Sequence, residues 1–404
     1  MIRVNIQKLG VIREADFEVG DLTIICGDNN TGKTYINYAL YGFLEYWSNL
    51  IAGFHPSKTQ DYLQEYFQKI LSSGVTEIDF NELKNNSIKL SLQEYKEILP
   101  RVFATTKQFL GDVDFEIDID VPQFDENSTD QDKLKFFSHF FPEPFYLCAE
   151  RDGIMMLWSE YDSTDHYLTD NTQHNRRNGD STIPFPVVRD LDFLRKIKNG
   201  RYRNDGILMQ KFSDIFDQFK KLFGGDFEVI EGIPYFIPAS NPKSRLRMNE
   251  SSGEVRALFL FGNYLRYVAA PGDILMIDEP ELNLHPEKQR QIARLLARLV
   301  NTGIKVFLTT HSDFLIRELN MLIMLKPVSE KLKKLVKKEK IRLDELLNAE
   351  EIRAYTVEGV TSGRGYELVP ANLDQRRGME IVTFDRTIVK ASTMYENVAY
   401  RLVK

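Results

Sequence analysis

Residues 27–34 read Gly-Asp-Asn-Asn-Thr-Gly-Lys-Thr, between the apolar run "LTIIC" and the run "YINYALYGF". No other stretch restricts the fold of this chain so tightly. The first run reads as a buried strand and the second as the start of a helix. Glycine lets the backbone between them curl until successive N–H groups point inward and form a nest for an anion. The helix that follows aims its positive end at the same point. The Lys33 ammonium can reach the β- and γ-phosphates of a nucleotide, and the Thr34 hydroxyl can hold Mg²⁺. The pattern G-x-x-x-x-G-K-[ST] is complete and stands in the strand–loop–helix context it requires. A glycine-rich turn that merely ends in Lys-Thr is the bland alternative.

The rest of the chain sets bounds on that reading. With 404 residues, 43% of them hydrophobic, it can bury a large core, as one big domain with insertions or as two to three smaller units. The formal net charge of −7 means that the overall field does not steer the protein to nucleic acid, although a local basic patch could still bind it. Cys26 and Cys148 both lie in apolar, strand-like runs, which favours buried thiols over a disulfide or a metal site. The first ten residues alternate like a strand and lack a signal-peptide core, and no apolar run approaches 18 residues. The expectation is a soluble cytoplasmic protein.

Strands are expected at "IRVNIQ", "READFEV" and "LTIIC", then helices over much of 35–111, including 61–73. Aromatics and leucines recur there at helical spacing, and this stripe reads as core. A strand follows at 113–121, a second ends near Ala149, and a polar loop rich in Asp, Asn, Thr and Gly occupies 160–184. Helices return over 187–223, a strand-like stretch follows through 238, and 255–269 is helical.

Three further motifs lie downstream. "DILMIDEPE" is an apolar strand ending in Asp278 and Glu279, at the end of a strand where α/β sheets bind ligands. Asp278 would support Mg²⁺ directly or through water, and Glu279 would polarise the attacking water; an acidic turn before Pro280 is the structural alternative. "KVFLTTHSDFL" is a strand ending at Thr310, and His311 after it can touch a γ-phosphate. His311 could instead be a surface residue beside a helix capped by Ser312. Ser251, Ser252 and Gly253 precede a helix and make a second anion-binding helix end, which two chains packed head to tail could share. Alone, this is an ordinary serine N-cap.

The order P-loop, "SSGE", "ILMIDEPELNLHP", "TTHS" resembles the ABC-type ATPases, and most closely their OLD-like branch, which includes the ATPase subunits of antiviral systems such as PARIS and Septu. The resemblance covers roughly 1–34 and 250–317. It implies an α/β, ABC-type (P-loop) ATPase head with two lobes and a helical insertion. Lobe one comprises 1–34 and 271–330, the insertion 35–149, and lobe two 150–270, leaving a helix-plus-strand region at 331–404. By resemblance Gly27, Asn29, Asn30, Thr31, Gly32, Lys33 and Thr34 bind the nucleotide. Ser251, Ser252 and Gly253 form a signature that reaches across a dimer. Thr34 and Asp278 hold Mg²⁺, Glu279 and His311 act with Lys33 in ATP hydrolysis, and Asn283, Leu284 and His285 lie in the D-loop. Glu150 and Arg151 match an acidic-Arg pair common in that branch. The signature departs from the transporter pattern, no Q-loop glutamine stands out, and the residues after 318 carry no nuclease motif.

The resemblance therefore implies an ATP-driven switch that forms homodimers or larger homo-oligomers and controls a separately encoded effector, a nuclease, in antiviral defence. The alternatives are a RecF-like DNA-repair ATPase and a nucleic-acid-binding module with a vestigial site. Two basic stretches, "KLKKLVKKEKIR" and "FLRKIKNGRYR", are candidate nucleic-acid contacts. The first also places Leu332, Leu335, Val336, Leu343, Leu346 and Leu347 at helical spacing, which makes its lysines the solvated face of one amphipathic helix.

Overall fold

The computed structural model describes residues 2–51, 65, 80–119, 144–156, 183–327, 330–361, 363–381 and 393–395. Most of the expected helix at 61–73, and the polar segment 160–184 apart from its last two residues, lie outside them.

Residues of β1 (Ile2–Leu9) and β2 (Ile12–Val19) alternate between buried and more exposed, as strands with one face on the core must. β3 (Leu22–Cys26) is buried at every residue because it lies inside the sheet. The chain then enters α1 (Lys33–Ile51) and, further on, α2 (Phe80–Val102). The aromatic stripe of α1 is core: Phe43 meets the Tyr95 ring at 5.5 Å, and Tyr95 meets Phe115 at 5.4 Å. β4 (Asp114–Ile119), β5 (Pro144–Leu147), α3 (Arg151–Met156), α4 (Phe185–Lys198) and α5 (Ser213–Phe223) follow.

A small antiparallel sheet, β6 (Gly225–Ile230), β7 (Ile233–Pro238) and β8 (Leu246–Arg247), leads into α6 (Gly253–Tyr267). α5, α6 and this sheet share an aromatic core that includes Phe216, Phe219, Phe223, Phe227 and Phe259. β9 (Ile274–Asp278), α7 (Pro286–Asn301), β10 (Lys305–Thr310), α8 (Asp313–Met324) and α9 (Glu330–Lys338) come next. β11 (Ile352–Gly359), β12 (Tyr366–Pro370) and a short pair, β13 (Asn372–Asp374) and β14 (Gly378–Glu380), complete the described strands.

Nine strands form one mixed sheet in the order β4-β1-β2-β12-β11-β3-β10-β9-β5. Its centre is parallel: β11, β10, β9 and β5 all run with β3. The register sets Cys26 beside Thr310, Thr309 beside Asp278, and Ile277 beside Leu147. Four loops thus leave a single carboxyl edge of the sheet, where open α/β sheets bind their ligands.

Residues 35–149 and 331–404 each contribute strands to the main sheet, β4 and β5 from the first and β11 and β12 from the second. One feature differs from what periodicity suggests. The single amphipathic helix expected through Leu347 does not form. α9 stops at Lys338, Lys340 takes φ 52°, and Leu343 ends 70% exposed while Leu346 and Leu347 are buried after the turn.

Candidate functional site

The loop after β3 is shaped by Gly32 and Asn30. Gly32 has φ 98°, and a Cβ there would lie 2.7 Å from Ile12 and 2.9 Å from Val11, at the turn joining β1 to β2. Only glycine fits. Asn30 adopts φ 62°, a left-handed conformation that Asn tolerates better than most residues. The amides of Tyr35 and Ile36 donate to the Gly32 carbonyl and start the helix. Lys33 is buried, and its ammonium donates to the carbonyls of Gly27 (2.9 Å) and Asp28 (2.8 Å). Thr31 donates its hydroxyl to the Asp28 carbonyl, while Asp28, Asn29 and Asn30 form the loop's exposed crest.

At the end of β9 lies Asp278, 1% exposed. The Thr34 hydroxyl donates to its Oδ2 (2.9 Å), and the Thr309 hydroxyl donates to its Oδ1. Burial pushes its pKa up to about 6, against the lowering effect of these two bonds. A threonine hydroxyl beside a carboxylate is a hard oxygen pair of the kind Mg²⁺ takes together with phosphate oxygens. This chemistry fits the cation expected there.

Glu279 follows in a turn that few non-glycine residues adopt, with φ 47°. Its amide donates to the Thr309 carbonyl (3.2 Å), and its Oε1 lies 3.1 Å from His311 Nδ1. The hydrogen bond from His311 is the largest influence on Glu279 and holds its carboxyl below the ordinary range; the same bond raises the His311 pKa. Glu281 is a participant that sequence reasoning missed. It is buried and accepts from the Thr310 hydroxyl (2.7 Å) and the His311 amide (2.9 Å), so it fixes the backbone that carries His311. The third acid in Asp-Glu-Pro-Glu was the available signal. Ser312 caps α8 by accepting from the Leu315 amide, so the expected helix cap is present directly after His311.

The signature residues sit at the start of α6. Ser252 accepts from the Val255 amide as the N-cap, the Ser251 hydroxyl donates to the Arg247 carbonyl, and Gly253 opens the helix beside Asn283. They join the acidic turn through a relay. Arg256 donates to the Ser251 carbonyl (2.6 Å) and to Asp152 (2.5 Å), and Asp152 accepts from the Asn283 side-chain Nδ2 (3.2 Å). Leu284 is buried, and His285 caps α7. Arg151, 1% exposed, donates to four backbone carbonyls, among them those of Asp278 (2.8 Å) and Glu279 (2.7 Å). Both cysteines are buried free thiols.

Lys33, Thr34, Asp278, Glu279 and His311 thus meet on one sheet edge. Residues 238–317, which carry the signature, the acidic strand and the histidine, match the family described as "AAA domain, putative AbiEii toxin, Type IV TA system". The fold is α/β, a large mixed sheet with helices and a P-loop-like strand–loop–helix at its centre.

No curated protein matches the chain. Solved structures similar to it include the SMC head domain from Thermotoga maritima, at 10% identity, covering 92% of this chain and 98% of that one, with a TM-score of 0.35. Another is the Smc head domain with an extended coiled coil bound to the C-terminal domain of ScpA, derived from Pyrococcus furiosus, at 12% identity, 99% and 100% coverage and a TM-score of 0.37. A third is the SmcHead bound to the C-winged helix domain of ScpA, at 11% identity, 92% and 98% coverage and a TM-score of 0.38. Among the described residues, no helix is long and apolar enough to cross a membrane.

Proposed function

We propose that this chain binds ATP with Mg²⁺, hydrolyses it, and serves as a nucleotide-dependent switch for a separately encoded effector. The observation that carries the ATPase part is the convergence of the Thr34 and Thr309 hydroxyls on Asp278, with Glu279 on the next residue and His311 bonded to it. Mg²⁺ would lie against Thr34 and Asp278 and neutralise phosphate charge. Lys33, already donating to two carbonyls, would turn its ammonium to the β- and γ-phosphates, where charge-assisted bonds are strong. Glu279, kept ionised by His311, would orient a water and accept its proton as a general base does. Ser251, Ser252 and Gly253 would engage the nucleotide of a second copy, so that ATP holds two heads together.

The effector is a nuclease acting in antiviral defence in this reading, which rests on the resemblance of residues 250–317 to OLD-like chains. A nucleotide-dependent switch acts by biasing the state of another molecule. The test is a steady-state ATPase assay of the wild type beside Lys33→Ala, followed by co-expression with the neighbouring gene and purification through a tag on one product. Loss of one charge-assisted contact weakens ATP binding by about 10–100-fold, on the order of 1.5–3 kcal/mol, and turnover disappears. Equal rates in the two proteins would remove the ATPase assignment. Metal-dependent nuclease activity from this chain alone, with no co-purifying partner, would remove the switch. Tight, salt-sensitive binding to DNA ends or gaps would favour a repair ATPase instead.

A further inference from the structure

Arg151 and Asp152 stand side by side at the start of α3, and neither belongs to the P-loop, the acidic strand or the signature. The Arg151 guanidinium reaches three elements at once. Its Nε donates to the Ala257 carbonyl in α6 (3.0 Å), and its Nη1 donates to the carbonyls of Cys148 (2.9 Å) and Asp278 (2.8 Å). Its Nη2 donates to the Glu279 carbonyl (2.7 Å). Arginine's rigid planar fork suits such a task; a lysine would present one point charge on a flexible stem.

The two carbonyls it grips in the acidic turn flank the Glu279 backbone, whose φ of 47° needs outside restraint to persist in a residue with a side chain. Thr309 restrains the amide side of that turn and Arg151 the carbonyl side. The same guanidinium holds the signature helix, so a shift of α6 must either carry the Glu279 turn with it or break a buried charged bond. Asp152 makes the parallel link from Arg256 and the Ser251 carbonyl to Asn283.

From this geometry we infer that Arg151 is the positioning residue that couples the signature helix to Glu279, with Asp152 coupling the same helix to the loop at Asn283. Engagement of Ser251–Gly253 by a second copy's nucleotide sets the position of Glu279 through these two residues, so hydrolysis is gated by head engagement. The inference rests on the ATPase reading above.

The test compares wild type, Arg151→Lys, Asp152→Asn and Lys33→Ala by four readouts. These are the Kd for a non-hydrolysable ATP analogue, kcat, the dependence of kcat on protein concentration, and amide exchange of peptides spanning 253–260 and 278–283 with and without the analogue. In the wild type the analogue slows exchange in both peptides together. Arg151→Lys keeps Kd within about threefold while kcat falls by about 100-fold, the scale of a small misplacement of a catalytic group. Protection of the two peptides separates, and kcat no longer rises with protein concentration. Asp152→Asn, on a partly exposed side chain, shows the same split more weakly and decides the matter if Arg151→Lys does not fold. Unchanged kcat with joint protection in the folded variants would overturn the coupling. So would parallel loss of Kd and kcat with faster exchange throughout, the mark of a merely structural role. Equal turnover in wild type and Lys33→Ala would instead show that the ATPase reading had failed, whatever the exchange data show of the coupling.

Discussion

Asp190 shows how a single residue can make stability depend on pH. It is fully buried in α4, and its Oδ2 accepts from the Cys148 amide (3.0 Å). Burial pushes its pKa up to about 7, against the smaller lowering effects of Cys148 and Arg151. Because the folded protein holds this proton more tightly than the unfolded chain, Asp190 costs nothing near pH 4. It becomes destabilising as pH rises toward 7, and the penalty levels off above that. Ionising so buried a carboxyl, rather than one in water, costs on the order of 4 kcal/mol. Asp190→Asn keeps an acceptor for the Cys148 amide and removes the titration. Chemical denaturation from pH 4 to pH 8 should therefore show a variant that gains on wild type steadily through pH 4–7 and runs parallel to it afterwards. A constant difference across that range would contradict this account.

Helix α6 carries the signature, and what it packs against decides where the signature sits. Gly262 lies within it, where glycine is normally a liability for helix stability. A Cβ there would stand 2.6 Å from two atoms of the Phe219 ring and 2.8 Å from the Phe227 ring. Phe219 is fully buried between Phe216, Phe223 and Phe261 and has no room to swing away. Gly262→Ala should therefore destabilise the protein by about 1–3 kcal/mol despite alanine's better helix propensity. Thermal unfolding measures the loss. A Tm at or above that of the wild type would mean that α5 and α6 can part without cost.

For the whole molecule, the proposed function requires nucleotide-linked association. Glu279→Gln keeps the shape of the side chain and the Lys33, Thr34 and Asp278 contacts, while removing the base. Its kcat should drop by about 10²–10⁴-fold, the usual contribution of a positioned general base. ATP remains bound, and the protein collects as a dimer or larger assembly. Analytical ultracentrifugation with and without ATP reads the shift. A variant that hydrolyses ATP normally, or one that stays monomeric with ATP bound, would contradict the proposed role of Glu279 or of the second copy.

Where the chemistry lies in a short contiguous stretch, the sequence by itself determined it. A buried run followed by Gly-x-x-x-x-Gly-Lys-Thr commits the backbone to strand, loop and helix through local propensity and burial, and β3, Gly32 and α1 follow that commitment. "ILMID" and "KVFLTT" were legible as strands for the same reason, and so were the aromatic stripe of α1 and the cap at Ser312. Only the tertiary structure decided which strands lie side by side. β11 sits directly beside β3 although more than three hundred residues separate them, because strand partners are chosen by complementary faces and edges rather than by nearness in the chain. Lys340 turned what read as one helix into a helix and a separate buried stretch, since Leu346 and Leu347 gain more from the core than from continuing the helical period. The grip of Arg151 on Asp278 and Glu279 spans more than a hundred residues. Periodicity and propensity describe a residue's own neighbourhood, whereas a guanidinium finds its carbonyls only once the sheet has brought their strands together.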